Sequence, residues 1–392
     1  MSATIHFDSE PETQFEERWM RSASALRELG VGAGDVVALM LQNEPILLEL
    51  MLASRQAGAY YCLVNWHFKA GEVGHILTDS GAKALVVHAH LLHTIREAIP
   101  PGLRVFVVAP RQRTCEAFHL DPQSARVPPG HESWHQWRDA RDRPAVALER
   151  PGSAMLYTSG TTGRAKGVRR ESATPAQALA VTQTVRIALG IEHGMRALIS
   201  APFYHAAPAS YVLQSALHDA QLWIEPRFDA QRTLDIIEAQ RISHAYLVPT
   251  MYRRLLQLPA AVRNAPDLSS LRFIACTGAP CPVETKRQMI EWWGPVIHEA
   301  YAASELGYVT HIDSADALRK PGSAGRAIPG TRIKIVSEDG LELRAGQVGL
   351  IYSRNAGLPD FTYSNNDAAR SQMEHDGLWG LGDMGYLDGE GF

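Results

Sequence analysis

Cysteine is scarce in this 392-residue chain: there are four, Cys62, Cys115, Cys276 and Cys281, and no two of them form a CxxC pair. A disulfide framework is therefore not indicated, and the cysteines read as reduced thiols of a cytoplasmic protein. Long apolar runs are missing too. The most apolar stretch, Val36 to Val64, is interrupted by Gln42, Asn43, Glu44, Pro45, Glu49 and Arg55, so no segment is expected to span a bilayer. Excess positive charge is also lacking. With 38 basic against 42 acidic side chains the formal charge is -4, and nothing resembles the basic face of a nucleic-acid binder. Any anionic ligand must then be held by local groups, for which backbone amides and a few lysines suffice. The polar, acidic start from Met1 to Glu17 has no basic segment followed by an apolar run, which argues against a signal peptide.

What is present suits a globular protein: 45% hydrophobic and 20% charged residues. The length exceeds what one core usually supports, so two or three packed subdomains are expected. Buried strands are expected at Val36–Leu41, Tyr60–Val64, Ala84–Val87 and Arg104–Val108. Between them a helix capped by Asn43 runs from Pro45 to Gly58, and another covers Glu72 to Asp79. Residues Arg111 to Gly152, rich in Pro, Arg, His and Asp, read as an irregular excursion with one short helix. The alternation resumes with strands at 197–200, 221–224, 245–248 and 271–275 and helices near 177–188, 231–239 and 284–293. Such alternation implies parallel strands with helices on both faces. After Gly325 the pattern changes to short strands joined by turns, at Thr331–Val336 and Val348–Tyr352. The expected class is α/β, with doubly wound, mostly parallel sheets in two subdomains over residues 1–325. A small β-rich, barrel-like subdomain covers 326–392.

The most informative segment is Tyr157-Thr158-Ser159-Gly160-Thr161-Thr162-Gly163-Arg164-Ala165-Lys166-Gly167-Val168, which comes directly after the apolar run Ala154-Met155-Leu156. Glycines let the backbone turn tightly and aim successive N–H groups at an anion; the hydroxyls add donors and Lys166 a mobile charge. Gly167 stands after the lysine where a P-loop needs Ser or Thr, so an ordinary P-loop NTPase is disfavoured.

The string Thr158 to Val168 resembles the signature loop of the adenylate-forming superfamily: acyl- and aryl-CoA synthetases, adenylation domains that load carrier proteins, and luciferases. The likeness extends in order through most of the chain. Leu26–Ala38 resembles the family's opening helix and strand, and Pro202-Phe203-Tyr204-His205 its second core motif. Cys276-Thr277-Gly278-Ala279-Pro280 resembles the adenine-side turn, Tyr301-Ala302-Ala303-Ser304-Glu305 the YGxTE motif, and Gly382-Asp383-Met384-Gly385-Tyr386-Leu387-Asp388 the GDxGxxD motif. Within the superfamily it looks most like the fatty- or aryl-acyl-CoA ligases.

The resemblance implies a reaction: ATP-dependent conversion of a carboxylic acid to its acyl-adenylate, with transfer to CoA in the full-length enzyme. Thr158, Ser159, Gly160, Thr161, Thr162, Gly163 and Lys166 would wrap the β- and γ-phosphates. Gly278, Ala279 and Pro280 would line the adenine pocket with Tyr301 packing on the base, and Asp383 would accept the ribose hydroxyls. Ser304, in place of the usual threonine, would face the α-phosphate, and Glu305 would hold Mg²⁺, a hard cation that favours oxygen ligands. His205 would stand near the acyl carboxylate, with Tyr204, Tyr246, Val248 and Pro249 around the acyl group. Those side chains suit a medium or long acyl chain or an aromatic acid better than acetate. Ala302 replaces a common glycine, and Leu381 stands where many relatives carry Thr or Ser.

The resemblance also implies a mobile C-terminal domain bearing a lysine that assists adenylation, beyond Phe392. On that ground the chain is expected to bind ATP and acid but turn over poorly. Monomer and homodimer both occur among such proteins. Two other readings share these motifs: an adenylation domain loading a carrier protein, and a nucleotide-binding interaction module without catalysis. His88, His90 and His93 lack trusted metal spacing and read as a solvated helix start; Trp292-Trp293 reads as packing.

Overall fold

The computed structural model describes residues 3–7, 11–142, 151–158 and 165–392. The chain divides into two compact units.

The first unit comprises the chain up to Ser172 together with Pro202–Arg227 and Asp360–Asn365. Among the described residues its main sheet has eight strands, in the order Phe361–Tyr363, Lys166–Arg170, Ala154–Thr158, Tyr60–Leu63, Val36–Met40, Ala82–His88, Arg104–Val108 and Glu132–Ser133. Pairing is parallel from Ala154–Thr158 to Glu132–Ser133. The remaining two strands run antiparallel. Val36–Met40 is buried at every position. A continuous apolar run of this kind is what a parallel strand needs when helices cover both faces. Against it pack Cys62, Val64, Val73, Ile76, Leu85, Val87, Leu92 and Val107.

The helix Pro45–Ala57 begins with Pro45 in its first turn and ends at Gly58 in the left-handed conformation, as expected. Its cap, however, is Glu44 rather than Asn43. The Asn43 amide is used elsewhere: it donates to the Glu225 carbonyl at 3.2 Å and accepts from the Phe203 amide at 3.0 Å. A residue satisfying two distant backbone groups cannot also cap its own helix.

Two further expectations change. The segment from Arg111 holds two helices, Gln112–Phe118 and Trp134–Asp139, and the edge strand Glu132–Ser133; residues 143–150 lie outside the described part. Trp134 is fully buried with its ring edge-on to Phe106, 5.2 Å away, which anchors this polar stretch through one aromatic side chain. His88 and His90 are buried, not solvated. His88 precedes the helix Ala89–Ile95 and accepts the Gln42 amide through Nδ1 at 3.1 Å. Among the described residues no group of three or more potential metal ligands assembles.

The second unit comprises Ala173–Ala201, Phe228–Pro359 and Asn366–Phe392. Within it, Arg196–Ile199, His244–Leu247, Phe273–Cys276 and Ile297–Ala303 run parallel, and Gly307–Ile312 and Arg326–Ala327 extend the sheet antiparallel. The helices Pro175–Leu189, Ala230–Ala239, Pro249–Leu256 and Val283–Trp293 belong to the same unit. A separate antiparallel sheet orders Thr331–Val336, Gly349–Asn355, Leu378–Gly385 and Glu374–His375. This is the small β-rich sheet expected after Gly325. Gly325 itself has φ +93, and a Cβ there would lie 2.1 Å from the His311 carbonyl oxygen. Only glycine fits where the chain turns that tightly.

Both units bury titratable groups. In the first, Glu49 is 1% exposed and lies in a network of partners. It accepts from Arg138 at 3.0 and 3.1 Å and from the Ser22 hydroxyl at 2.5 Å, with Arg18 3.5 Å away. Removing one member of such a network strands the others in low dielectric. Glu49→Ala is expected to cost about 3–5 kcal/mol in urea-induced unfolding; a cost under about 1 kcal/mol would contradict a fully formed network.

In the second unit His244, Phe273, His298 and His311 form a cross-strand stack, with Phe273 and His298 centroids 3.7 Å apart and His298 Nδ1 3.1 Å from His311 Nε2. Burial lowers His244 and His298 from 6.5 to about 4, and His90 in the first unit likewise. The folded state thus binds fewer protons than the unfolded chain in that window, and stability falls as pH drops from 6.5 towards about 4. Thermal denaturation across that range is expected to show the decline, with a shallower slope in His298→Gln; an unchanged slope would remove His298 from the account.

Candidate active site

In the first unit the site begins with a hairpin. Ala154–Thr158 and Lys166–Arg170 pair antiparallel with Thr158 opposite Lys166. Ser159, Gly160, Thr161, Thr162 and Gly163 lie outside the described residues. The glycine-rich segment therefore leads into a returning strand. That differs from a P-loop, which leads into a helix. The hairpin is held from below. The Tyr157 hydroxyl donates to Asp79 Oδ2 at 2.7 Å, and His75 Nε2 lies 3.1 Å from the Ala165 carbonyl. Burial and the Asp79 carboxylate push the Tyr157 phenol far above its usual pKa, so it stays a donor. Asp79 also takes the Asn365 amide through its carbonyl at 3.0 Å. Lys166 Nζ stands 5.5 Å from the Tyr363 ring centroid. Glycine after the lysine leaves room for packing: a Cβ on Gly167 would come 2.7 Å from Met155 Cε and 2.9 Å from Tyr157 Cζ.

The same unit places Tyr204 and His205 just before the helix Ala206–Leu217, with His205 at its N-cap position. Phe203 is fully buried and tied to Asn43, which fixes this turn from inside. Tyr204 joins a ring cluster in which Trp66 lies 5.6 Å from Tyr204 and 5.4 Å from Phe118, while Tyr204 and His205 are 4.4 Å apart. The His205 side chain reaches solvent, but partial desolvation by its neighbours and then the His67 charge lower its pKa, keeping it neutral near pH 7. Burial raises the Tyr204 phenol.

In the second unit Tyr246 lies in the parallel strand His244–Leu247, 1% exposed, and its hydroxyl donates to the Thr277 carbonyl at 3.2 Å. Tyr246 thus supports the turn Thr277–Pro280, whose Gly278 has φ +95 and whose Gly278, Ala279 and Pro280 are exposed. Val248 caps the helix Pro249–Leu256, which sequence reading did not anticipate. These residues lie at carboxyl ends of parallel strands, where open α/β sheets bind ligands. Tyr301 sits at a bulge of Ile297–Ala303, and Ser304 and Glu305 occupy the turn into Gly307–Ile312. Glu305 is 8% exposed. One buried carboxylate beside a hydroxyl fits Mg²⁺ of the kind that takes its other ligands from phosphate oxygens and water. Tyr301 donates to Asp383 Oδ2 at 2.5 Å, so the residues expected at adenine and ribose already share a hydrogen bond. Burial and that carboxylate raise the Tyr301 phenol well above its usual pKa.

In the first unit Thr158 stands opposite Lys166 and Tyr204 beside His205; in the second Tyr246 bonds the Thr277 carbonyl and Tyr301 bonds Asp383. Sequence reading missed Asp79, Tyr363, Trp66 and Phe118, which become neighbours of the site only through long-range pairing.

Comparison with known proteins places the chain in a family. Residues 13–359 match the family described as AMP-binding enzyme, and the chain belongs to it. It is 30% identical over 377 residues to the indoleacetate–CoA ligase of Aromatoleum aromaticum, covering 95% of this chain and 70% of that protein. To the long-chain-fatty-acid–CoA ligase FadD13 of Mycobacterium tuberculosis it is 29% identical, covering 95% and 70%. Among solved structures, the inhibitor-bound N-terminal domain of FACL13 from Mycobacterium tuberculosis superposes with TM-score 0.80 and 25% identity, over 100% of this chain and 94% of that one.

The hairpin supplies a direct check. Gly167→Ala should displace Met155 or Tyr157 and destabilise the protein by about 1–3 kcal/mol, with a larger loss of ATP affinity than Gly389→Ala, where a Cβ meets nothing. Equal ATP affinity in the two variants would show that the hairpin's packing does not set the site.

Proposed function

We infer that this chain activates a carboxylic acid with ATP and passes the acyl group to CoA, as an AMP-forming acid–thiol ligase. The observation that carries this is membership of the AMP-binding family over residues 13–359, with CoA ligases among relatives aligned to 95% of the chain. The acid's carboxylate attacks the α-phosphorus, the bond to the β-phosphate breaks, and pyrophosphate leaves. The CoA thiolate then attacks the acyl carbonyl and AMP departs. No protein nucleophile is needed, so the protein's contribution is positioning and charge stabilisation.

We assign the roles residue by residue. Lys166, with Thr158 and the hydroxyls and amides of Ser159 to Gly163, would stabilise charge developing on pyrophosphate. Gly278, Ala279 and Pro280 would line the adenine, Tyr301 would pack on it, and Asp383 would accept the ribose hydroxyls. Ser304 would face the α-phosphate, and Glu305 would hold Mg²⁺, which when bound neutralises phosphate charge. His205 would stand as a neutral donor or acceptor near the carboxylate, in keeping with its lowered pKa.

The acid proposed is aromatic or long-chain. Support comes from the ring cluster at Tyr204, from buried Tyr246 beside Val248, and from relatives named for indoleacetate and long-chain fatty acids. Metabolism of such acids in the cytoplasm would accord with four cysteines that are all free.

The test is acid-dependent exchange of pyrophosphate into ATP across aromatic, long-chain and short-chain acids. Exchange is expected with aromatic or long-chain acids and weakly with acetate. Glu305→Gln and Lys166→Ala should each lower it about 10²–10³-fold with an unchanged circular dichroism spectrum. Wild-type exchange in either variant would remove that residue from the site, and exchange with no acid at all would sink the assignment.

A further inference from the structure

The first unit holds a second place where its sheet can receive a ligand. Tyr60–Leu63 and Ala82–His88 follow Val36–Met40 in the chain but flank it on opposite sides in the sheet. Connections that depart in opposite directions leave a crevice at the carboxyl ends of such strands, the usual ligand position in open α/β sheets. The glycine-rich hairpin lies beyond Tyr60–Leu63 in the strand order, so this crevice is separate from it. Glu44 follows Val36–Met40, His88 ends Ala82–His88 and Arg111 follows Arg104–Val108. The three converge: Glu44 Oε1 accepts the Arg111 amide at 2.9 Å, and Oε2 lies 3.7 Å from His88 Nε2.

Here a cavity of about 160 Å³ has Arg18, Arg111, Arg138, Glu44 and Glu49 as its charged walls. At ~30 Å³ for each water there is room for about five, or for one small molecule of like bulk. The protein leaves part of these walls unused. Arg138 is 6% exposed; its Nε bonds Asp139 at 2.7 Å and its Nη1 bonds both Glu49 oxygens, but its Nη2 makes no hydrogen bond to a described residue. Glu44 is 1% exposed, and beside it His88 Nε2 is buried with no hydrogen-bond partner among the described residues. Burial pushes the Glu44 carboxyl up, but the His88 contact and its hydrogen bonds outweigh that and leave it below the usual carboxylate range. A carboxylate with about four lone-pair sites asks for a donor at one end of the cavity, and the spare Nη2 asks for an acceptor at the other.

Charge decides what kind of molecule meets both demands. The formal charges of Arg18, Arg111 and Arg138 are matched by Glu12, Glu44 and Glu49, with Glu12 paired to both Arg18 and Arg111. Asp139, more than half exposed, is screened by water. His135, on the same wall, is kept neutral near pH 7 by burial and then by the Arg138 charge. A ligand of net charge would unbalance such a site, whereas one carrying both signs would not. Ile46 is the apolar side chain of the wall, which leaves space and contact for a small substituent only.

We propose that this cavity binds a small free α-amino acid, with its carboxylate on Arg138 Nη2 and its ammonium facing Glu44. Arg18 and Arg111, whose side chains are 22% and 35% exposed, reach solvent and mark the way in. The binding changes no covalent bond and needs neither ATP nor CoA, so it stands whether or not the acid activation proposed above does.

The experiment is calorimetric titration of the full chain with glycine, alanine and serine in turn, without nucleotide. Acetate, methylammonium and N-acetylglycine serve as comparators, each lacking one of the two charges. Saturable binding is expected with at least one of the amino acids, and the comparators should bind about ten- to hundredfold more weakly. Ile46→Phe, which fills the cavity and leaves every ion pair in place, should weaken the amino acid by a similar factor with an unchanged circular dichroism spectrum. Arg138→Lys, which keeps the charge but removes Nη2, should do the same where it folds. No saturable heat from any of the three amino acids at millimolar concentration would overturn the site. Acetate binding as tightly as the amino acids would overturn the role of Glu44. Undiminished affinity in folded Ile46→Phe would place the ligand elsewhere, the acid site included, and overturn the assignment to this cavity whatever Arg138→Lys shows.

Discussion

The antiparallel pairing of Ala154–Thr158 with Lys166–Arg170 is the constraint on which the rest of the site depends. It sets Lys166 directly across the ladder from Thr158. Everything beneath the hairpin fixes that geometry: Tyr157 bonded to Asp79, His75 against the Ala165 carbonyl, and Gly167 leaving room for Met155 and Tyr157. A lysine at the start of a ladder has less rotational freedom to lose when it meets an anion than one on a mobile loop. The chemistry assigned to the chain requires little more from the protein at that point, since the bonds that change all belong to ATP, acid and CoA.

The strands and most helices were legible because their periodicity is local. Val36–Met40 reads as buried from its own five residues, and Gly58 and Pro45 mark the ends of their helix by backbone chemistry alone. The errors came where a distant group competes for a local one. Asn43 looks like a cap until the Phe203 amide and Glu225 carbonyl, far away in sequence, claim both ends of its amide. His88 and His90 look solvated until the sheet closes over them. The polar composition after Arg111 hides two helices because their burial rests on single residues such as Trp134 rather than on a stripe.

The candidate site divides in the same way. Lys166, Glu305, Tyr301 and Asp383 were named because their motifs are contiguous in sequence, and the structure adds a contact no motif encodes, the Tyr301–Asp383 hydrogen bond. Asp79, Tyr363 and Trp66 carry no local signal at all. They matter through strand order, which places segments distant in sequence beside one another, as when Phe361–Tyr363 pairs with Lys166–Arg170.

The central claim is that the acid becomes covalently joined to AMP before the thiol arrives. The most direct measurement supplies acid labelled with oxygen-18 in both carboxylate positions, together with ATP and CoA, and tracks the label by mass spectrometry. An acyl-adenylate predicts one labelled oxygen in the AMP released and none in pyrophosphate. Label in inorganic phosphate with ADP as the other product, or AMP free of label, would contradict it.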